Sequence, residues 1–166
     1  MNDKFTDSTN PKAPPPTIYR WAILIFVSLA MFGNYYVYDS VAPVFDLLSS
    51  QLNYTDQQLG LLYSVYSIAA IIVLLLGGVV IDKFGTKKST LFFAIICLFA
   101  GIVTAVSSEL YIMLAGRFLL GIGAEPLIVA VTTALAKWFK GKELALAMGL
   151  QVAVARLGTA LALGIS

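Results

Sequence analysis

Five apolar segments, each long enough to cross a lipid bilayer, constrain the fold of this chain more than any other feature. They lie at about 21–45, 57–80, 89–107, 110–137 and 143–166. A helix needs ~20 apolar residues to span the hydrocarbon core, where only helices and closed barrels satisfy their backbone hydrogen bonds. Charged residues make up only 12% of the chain, against about a quarter of a typical soluble domain. The sequence therefore predicts an all-α membrane protein with five transmembrane helices.

The distribution of basic residues predicts the orientation in the membrane. Residues 1–20 are polar and rich in proline, and we expect them to form a disordered cytoplasmic tail. Nine of the eleven Lys and Arg residues lie in this tail, in the second connection or in the fourth connection. These nine are Lys4, Lys12, Arg20, Lys83, Lys87, Lys88, Lys137, Lys140 and Lys142. Because positively charged loops remain on the cytoplasmic side, the N-terminus is predicted to be cytoplasmic.

Composition also restricts the function. The chain has no His, and its single Cys97 lies inside an apolar segment, so neither a metal site nor an intramolecular disulfide is expected. The residues suggest no nucleophile and base set and no cofactor site, so an enzyme is not expected. The net charge of +2 is too small to suggest nucleic-acid binding. The sequence stops inside the fifth apolar segment, and we therefore expect an N-terminal part of a longer protein, with a complete five-helix protein as the alternative.

Four ionisable residues fall inside the predicted helices: Asp39, Arg117, Glu125 and Arg156. A charge at membrane depth costs at least a few kcal/mol unless it is paired or hydrated, so such residues are candidates for function. The helical rise of ~1.5 Å per residue places both Asp39 and Arg117 in the outer half of the membrane. They are expected either to pair with each other or to contact a ligand.

Glu125 and Arg156 are both predicted to lie near the middle of the membrane, on neighbouring helices. Transporters place their substrate sites at this depth. A zwitterionic ligand would fit the two charges, with its amine at Glu125 and its carboxylate at Arg156. The alternative is a salt bridge that only joins two helices. Pro126 disfavours the helical conformation of the residue before it, so we expect a loosened helix at Glu125.

Two further residues are weaker candidates for substrate binding. Tyr38 neighbours Asp39, and Gln151 lies in the fifth segment. The alternatives are an interfacial aromatic belt for the tyrosine and a hydrogen bond between helices for the glutamine.

The connection between the second and third segments, residues 78–88, reads Gly-Val-Val-Ile-Asp-Lys-Phe-Gly-Thr-Lys-Lys. We expect Gly78 to let a neighbouring helix approach closely and Gly85 to permit a tight turn. Asp82 is suited to bind a helix N-terminus or a base. This combination is typical of a short cytoplasmic hinge between membrane helices.

These residues resemble two motifs of the major facilitator superfamily. The loop 2–3 signature of that superfamily is matched by Gly78, Asp82, Lys83, Gly85, Lys87 and Lys88, although Thr86 replaces its usual base. Its helix 4 motif is matched by Arg117, Gly121 and Gly123. The resemblance implies the first five helices of a twelve-helix fold, with substrate bound between two six-helix halves that rock to give alternating access. The missing C-terminal half would be the main partner.

A narrower resemblance, carried most specifically by residues 138–144, is to a family of lysosomal dipeptide uniporters. It implies uniport of dipeptides, with Glu125 and Arg156 contacting the two termini, and a lysosomal membrane for a eukaryotic source. A bacterial source would imply the inner or plasma membrane. An accessory glycoprotein subunit is a partner that only the resemblance implies. Three alternatives remain open: proton coupling through Glu125 or Asp39, transport of another small organic anion, and a membrane protein that does not transport.

Overall fold

A computed structural model describes residues 17–164 as a bundle of helices. Six α-helices run in the order α1 (Thr17–Asp39), α2 (Phe45–Leu52), α3 (Asp56–Phe84), α4 (Thr86–Val106), α5 (Leu110–Trp138) and α6 (Lys142–Leu163). Five spans are long and apolar enough to cross a membrane, the first of them running through α1 and α2. Within residues 17–164 there are no strands. The predicted all-α fold with five membrane helices is therefore confirmed.

Both ends of α1 differ from the predicted segment 21–45. The helix begins at Thr17 instead of after residue 20, so the predicted tail extends too far, and its remainder, residues 1–16, lies outside the described part of the chain. The helix ends at Asp39 and is followed by a short 3₁₀ turn at Ala42–Val44. Pro43 explains this early end, because proline lacks a backbone N–H and disfavours the α conformation of the residue before it.

The connections between the spans use local capping chemistry. The Thr55 hydroxyl accepts from the backbone N–H of Gln58 at 3.3 Å, and the Gln58 side chain accepts from the backbone N–H of Thr55 at 2.9 Å. This capping box at the start of α3 satisfies two N–H groups that lack a helical partner. Gly85, with φ of +81°, is the single residue between α3 and α4. Its missing Cβ permits the turn that the sequence suggested.

Helix α5 is the most buried span and packs against α3 on one side and α4 on the other, whereas α1 packs mainly against α6. Small residues set the spacing, as is usual between membrane helices. A Cβ on Gly121 would meet the Tyr66 carbonyl oxygen of α3, and one on Gly123 would lie 2.8 Å from Cys97 Sγ of α4. The helices therefore touch through their backbones.

The close approach predicted at Gly78 occurs at Gly77 instead. A Cβ on Gly77 would lie 2.7 Å from Cβ of Pro126, whereas nothing lies within 4 Å of a Cβ on Gly78. Successive residues of a helix point about 100° apart, so only one of two adjacent glycines faces the neighbouring helix. Pro126 is accommodated by this contact, and α5 continues through it without a break.

One end of the bundle carries an ion pair and an aromatic pair that join α1 to α6 and the end of α5. Arg20 Nη1 lies 2.7 Å from Glu143 Oε2. The rings of Trp21 and Phe139 meet edge to face with centroids 5.7 Å apart. An exposed ion pair contributes only about 0–1 kcal/mol, so the aromatic contact is the firmer part of this connection.

We expect Gly121→Ala to destabilise the fold. The new methyl group would collide with the Tyr66 carbonyl oxygen and would lie 2.8 Å from Cβ of Ala69. Overpacking of this kind costs about 1–3 kcal/mol, and the thermal unfolding midpoint of the purified protein in detergent should fall accordingly.

The matched control is Gly149→Ala in α6, where nothing lies within 4 Å of the new Cβ. This variant should unfold at the same temperature as the wild type or slightly above it, because alanine favours a helix by about 1 kcal/mol over glycine. Equal midpoints for Gly121→Ala and the wild type would contradict the proposed backbone contact.

Candidate functional site

A hydrogen bond between α3 and α5 holds the central acidic residue of the chain. Tyr66 Oη donates to Glu125 Oε1 at 3.0 Å. The Tyr66 side chain is only 8% exposed, and Glu125 is half-buried. The two helices approach closely in this region, at Gly121 and at Gly77. It leaves the second carboxylate oxygen of Glu125 available to another donor.

Tyr38 of α1 is the centre of an aromatic cluster beside this hydrogen bond. Its ring centroid lies 4.7 Å from that of Tyr66 and 5.6 Å from that of Tyr63. Phe45 of α2 extends the cluster, with its ring 5.8 Å from Tyr63. Edge-to-face and tilted pairs of this kind each contribute about 0.5–1.5 kcal/mol beyond the burial of their surface. The cluster joins α1 and α2 to α3.

Arg117 is 0% exposed and lies against the same cluster. Its Nη1 donates to the carbonyl oxygen of Tyr38 at 2.8 Å. The guanidinium carbon lies 5.6 Å from the ring centroid of Tyr63 and 5.9 Å from that of Tyr38, within the range of cation–π attraction. Its Nε and Nη2 atoms have no hydrogen-bond partner among the described residues.

The predicted pairing of Asp39 with Arg117 is not formed within residues 17–164. The reason is that α1 ends at Asp39, which frees the last carbonyl groups of the helix to accept from other donors. The negative end of the helix dipole also favours a cation at this position. Arg117 therefore binds the backbone of α1 in place of the neighbouring carboxylate.

Arg156 of α6 is exposed and lies over an aromatic ring of α1. Its guanidinium carbon is 5.1 Å from the ring centroid of Tyr35. No ion pair joins Arg156 to Glu125 in the described part of the chain, so the salt bridge considered as an alternative does not form. Gln151, five residues earlier on α6, is 5% exposed. The two opposite charges are thus each held by a tyrosine and not by each other.

The residues of the predicted hinge lie at the surface. Asp82, Lys83, Lys87 and Lys88 are all exposed. Thr86 accepts a hydrogen bond from Lys137 Nζ of α5 at 2.5 Å. Thr86 replaces the basic residue that is usual at this position of the loop 2–3 signature. A basic side chain from α5 therefore lies next to position 86, where the superfamily signature usually has a basic residue.

Sequence reasoning missed the tyrosines as partners of the charged residues. The signal was their spacing, because Tyr35 and Tyr38, like Tyr63 and Tyr66, are three residues apart and share a helix face. Tyr38, for which an interfacial aromatic belt is the alternative, packs against Tyr63 and Tyr66 between the helices. The contact between Lys137 and Thr86 had no sequence signal.

The sequence matches the Major Facilitator Superfamily over residues 27–166. The lysosomal dipeptide transporter MFSD1 of Danio rerio is 36% identical over 150 residues, which cover 88% of this chain and 32% of that protein. A probable sulfoacetate transporter, SauU of Cupriavidus necator, is 30% identical over 142 residues, 86% of this chain and 33% of the relative. The bacillibactin exporter of Bacillus subtilis is 34% identical over 113 residues, 65% of this chain and 28% of the relative. The chain thus spans about a third of the length of these curated relatives.

We expect Arg117→Lys to lower the free energy of unfolding. Lysine keeps the positive charge but loses the planar group that lies over two rings while it donates to the Tyr38 carbonyl. Loss of a buried hydrogen bond from a charged group costs about 1.5–3 kcal/mol. Thermal unfolding in detergent measures this change.

Arg156→Lys is the matched control, since it is the same substitution at an exposed position of another span. Its effect should stay within about 0.5 kcal/mol. If both variants unfold at the same temperature as the wild type, the buried contacts of Arg117 do not stabilise the fold.

Proposed function

The chain belongs to the major facilitator superfamily, and from this membership we propose that it forms part of a secondary transporter that works by alternating access. The proposed substrates are small zwitterionic solutes, with dipeptides as the preferred class, and the proposed mode is uniport. Two observations support this choice: the arrangement of charges in the described helices, and the relative named as a lysosomal dipeptide transporter.

The observation that carries the proposal is the separation of Glu125 from Arg156. The two residues have opposite charge and lie on different spans, yet each is held by a tyrosine and neither neutralises the other. A zwitterion would supply both missing partners at once. Its amine would bind the free oxygen of Glu125, and its carboxylate would bind Arg156.

The tyrosines suit this role because they hold each charge without blocking it. Tyr66 uses one acceptor site of the Glu125 carboxylate and leaves others open. The Arg156 guanidinium carbon lies 5.1 Å from the Tyr35 ring centroid, and a guanidinium held by such a cation–π contact can still bind a carboxylate through two N–H groups. Asp39, Tyr38 and Gln151 would complete the surroundings of the substrate.

We also propose that the N-terminus is cytoplasmic. The contacts between Arg20 and Glu143 and between Lys137 and Thr86 bring the start of α1, the start of α6, the end of α5 and the start of α4 to one end of the bundle. This end carries the lysines of both short connections, as expected on the cytoplasmic side. The membrane would be lysosomal for a eukaryotic source and the plasma membrane for a bacterial one, and the hinge at 78–88 would open and close with the rocking halves.

The second candidate function is transport of a small organic anion. The relative named as a probable sulfoacetate transporter favours it. In that case Arg156 alone would bind the substrate, and Glu125 would only tie α5 to α3 through Tyr66.

Glu125→Gln separates the two candidates. In the full-length protein the amide oxygen can still accept a hydrogen bond but carries no negative charge for the substrate ammonium, so dipeptide affinity should fall about 10- to 100-fold. Thermal stabilisation of the purified protein by a series of dipeptides, amino acids and organic anions measures the affinity.

Glu109→Gln, the same change at the exposed start of α5, is the control and should bind as the wild type does. Stabilisation by organic anions that survives Glu125→Gln, with no stabilisation by any dipeptide, would favour the anion carrier and overturn the dipeptide proposal.

Uniport predicts that substrate gradients alone drive movement. Full-length protein in proteoliposomes should take up dipeptide to the same final level with and without a pH gradient, because no proton is carried. Liposomes without protein provide the background rate. Uptake that strictly requires the pH gradient would show proton coupling and exclude uniport.

A further inference from the structure

Two buried polar side chains, one on α1 and one on α5, lack hydrogen-bond partners of opposite kinds within residues 17–164. The side-chain oxygen Oδ1 of Asn34 has no donor, and Nε and Nη2 of Arg117 have no acceptor. Asn34 is 5% exposed and Arg117 is 0% exposed, so a helix added at the outside of the bundle could not reach these atoms. Because an unsatisfied buried polar group is destabilising, an arrangement that pairs the two groups is favoured.

The packing of α1 indicates which helix Asn34 faces. On the α6 side, a Cβ on Gly158 would lie 3.2 Å from the backbone nitrogen of Tyr36. Successive residues of a helix point about 100° apart, so Asn34, two positions before Tyr36, points away from α6. Tyr38, about one turn after Asn34, shares its face of the helix. The Tyr38 carbonyl oxygen accepts from Arg117 at 2.8 Å, so this face of α1 is the one directed at α5.

The unpaired acceptor and the unpaired donors are complementary. A guanidinium can only donate hydrogen bonds, and the oxygen of a side-chain amide can only accept them. Asn34 and Tyr38 are four residues apart, which is about 6 Å along the helix axis. The long Arg117 side chain has several rotatable bonds and can cover this distance by a change of rotamer. Helix α1 thus offers Arg117 two acceptors, and the structure shows one of them in use.

We propose that Arg117 and Asn34 form a latch for the end of α1. In the position that the structure shows, Arg117 holds the Tyr38 carbonyl and fixes the end of α1 to α5. In the other position Arg117 donates to Asn34 Oδ1, and the end of α1 is released.

The latch acts on the candidate site through Tyr38. The Tyr38 ring packs at 4.7 Å against Tyr66, which is the donor to Glu125. Release of the Tyr38 backbone therefore loosens the tyrosine cluster beside this carboxylate. Two discrete arrangements of one packed contact are the usual basis of a conformational switch. The assignment of this switch to a transport cycle rests on the function proposed above, whereas the exchange of acceptors does not.

Hydrogen–deuterium exchange of the full-length protein in detergent, without substrate, measures the release. The segment 36–44 covers the end of α1 and the 3₁₀ turn after it. Asn34→Asp offers Arg117 a carboxylate in the second position, so the backbone amides of this segment should exchange about tenfold faster than in the wild type. Asn34→Leu removes the second acceptor, so the segment should exchange no faster than in the wild type. Equal exchange in Asn34→Asp and the wild type would overturn the proposal.

Ser28→Asp is the control, because Ser28 is also buried on α1 but lies six residues before Asn34, farther from Arg117. It buries a carboxylate in the same helix without offering it to Arg117, so exchange of the segment 36–44 should match the wild type. Equally fast exchange in Ser28→Asp and Asn34→Asp would show general destabilisation of α1 and would overturn the latch.

Asn34→Leu keeps the proposal testable if Asn34→Asp does not fold. In proteoliposomes this variant should take up dipeptide about tenfold more slowly than the wild type, because the released position has lost its acceptor. Its stabilisation by dipeptide in detergent should equal that of the wild type. Unchanged uptake by Asn34→Leu would contradict the latch. Absence of dipeptide uptake by the wild type would count against the proposed function alone, since the exchange measurement needs no substrate.

Discussion

The close contact of α5 with α3 is the constraint on which the rest of the structure depends. Two points fix it: Gly121 against the Tyr66 backbone, and Gly77 against Pro126. Between them lies Glu125, which receives the Tyr66 hydroxyl. The hydrogen bond of 3.0 Å between Tyr66 and Glu125 forms in the stretch where the two helices pack against each other. The packing of α3 against α5 therefore also sets the position of Glu125. A substitution that moved the two helices apart would weaken the hydrogen bond from the Tyr66 hydroxyl to Glu125.

The charged residues are distributed over two groups of helices. Arg117 and Glu125 belong to α5 and contact α3, whereas Arg156 belongs to α6, which packs on α1. Tyr38 is the main link, because its ring joins the α3 tyrosines and its carbonyl accepts from Arg117. A substrate that bridged Glu125 and Arg156 would thus connect the two groups. Helices α5 and α6 also touch each other directly, although less extensively than α5 touches α3 or α6 touches α1.

The membrane helices could be predicted from the sequence because mean hydropathy is averaged over about twenty residues, so that no single residue changes it much. The capping box formed by Thr55 and Gln58 can also be recognised from the sequence, because its two residues are three positions apart. The partners of Arg117 could not be predicted from the sequence, because they depend on where α1 ends. The helix ends at Asp39, and Pro43, which causes this end, lies four residues later in the chain. Which of Gly77 and Gly78 faces α5 depends on how α3 is rotated about its axis, and the sequence does not give that rotation. The site residues Glu125 and Arg156 were predicted from depth alone, and their roles as ligand contacts stay predictions.

The one-residue connection at Gly85 has a geometric consequence. The last turn of α3 and the first turn of α4 can be no farther apart than a single residue can reach. Lys83 near the end of α3 and Lys87 and Lys88 at the start of α4 are therefore kept together by the covalent chain itself, independently of side-chain packing between the two helices.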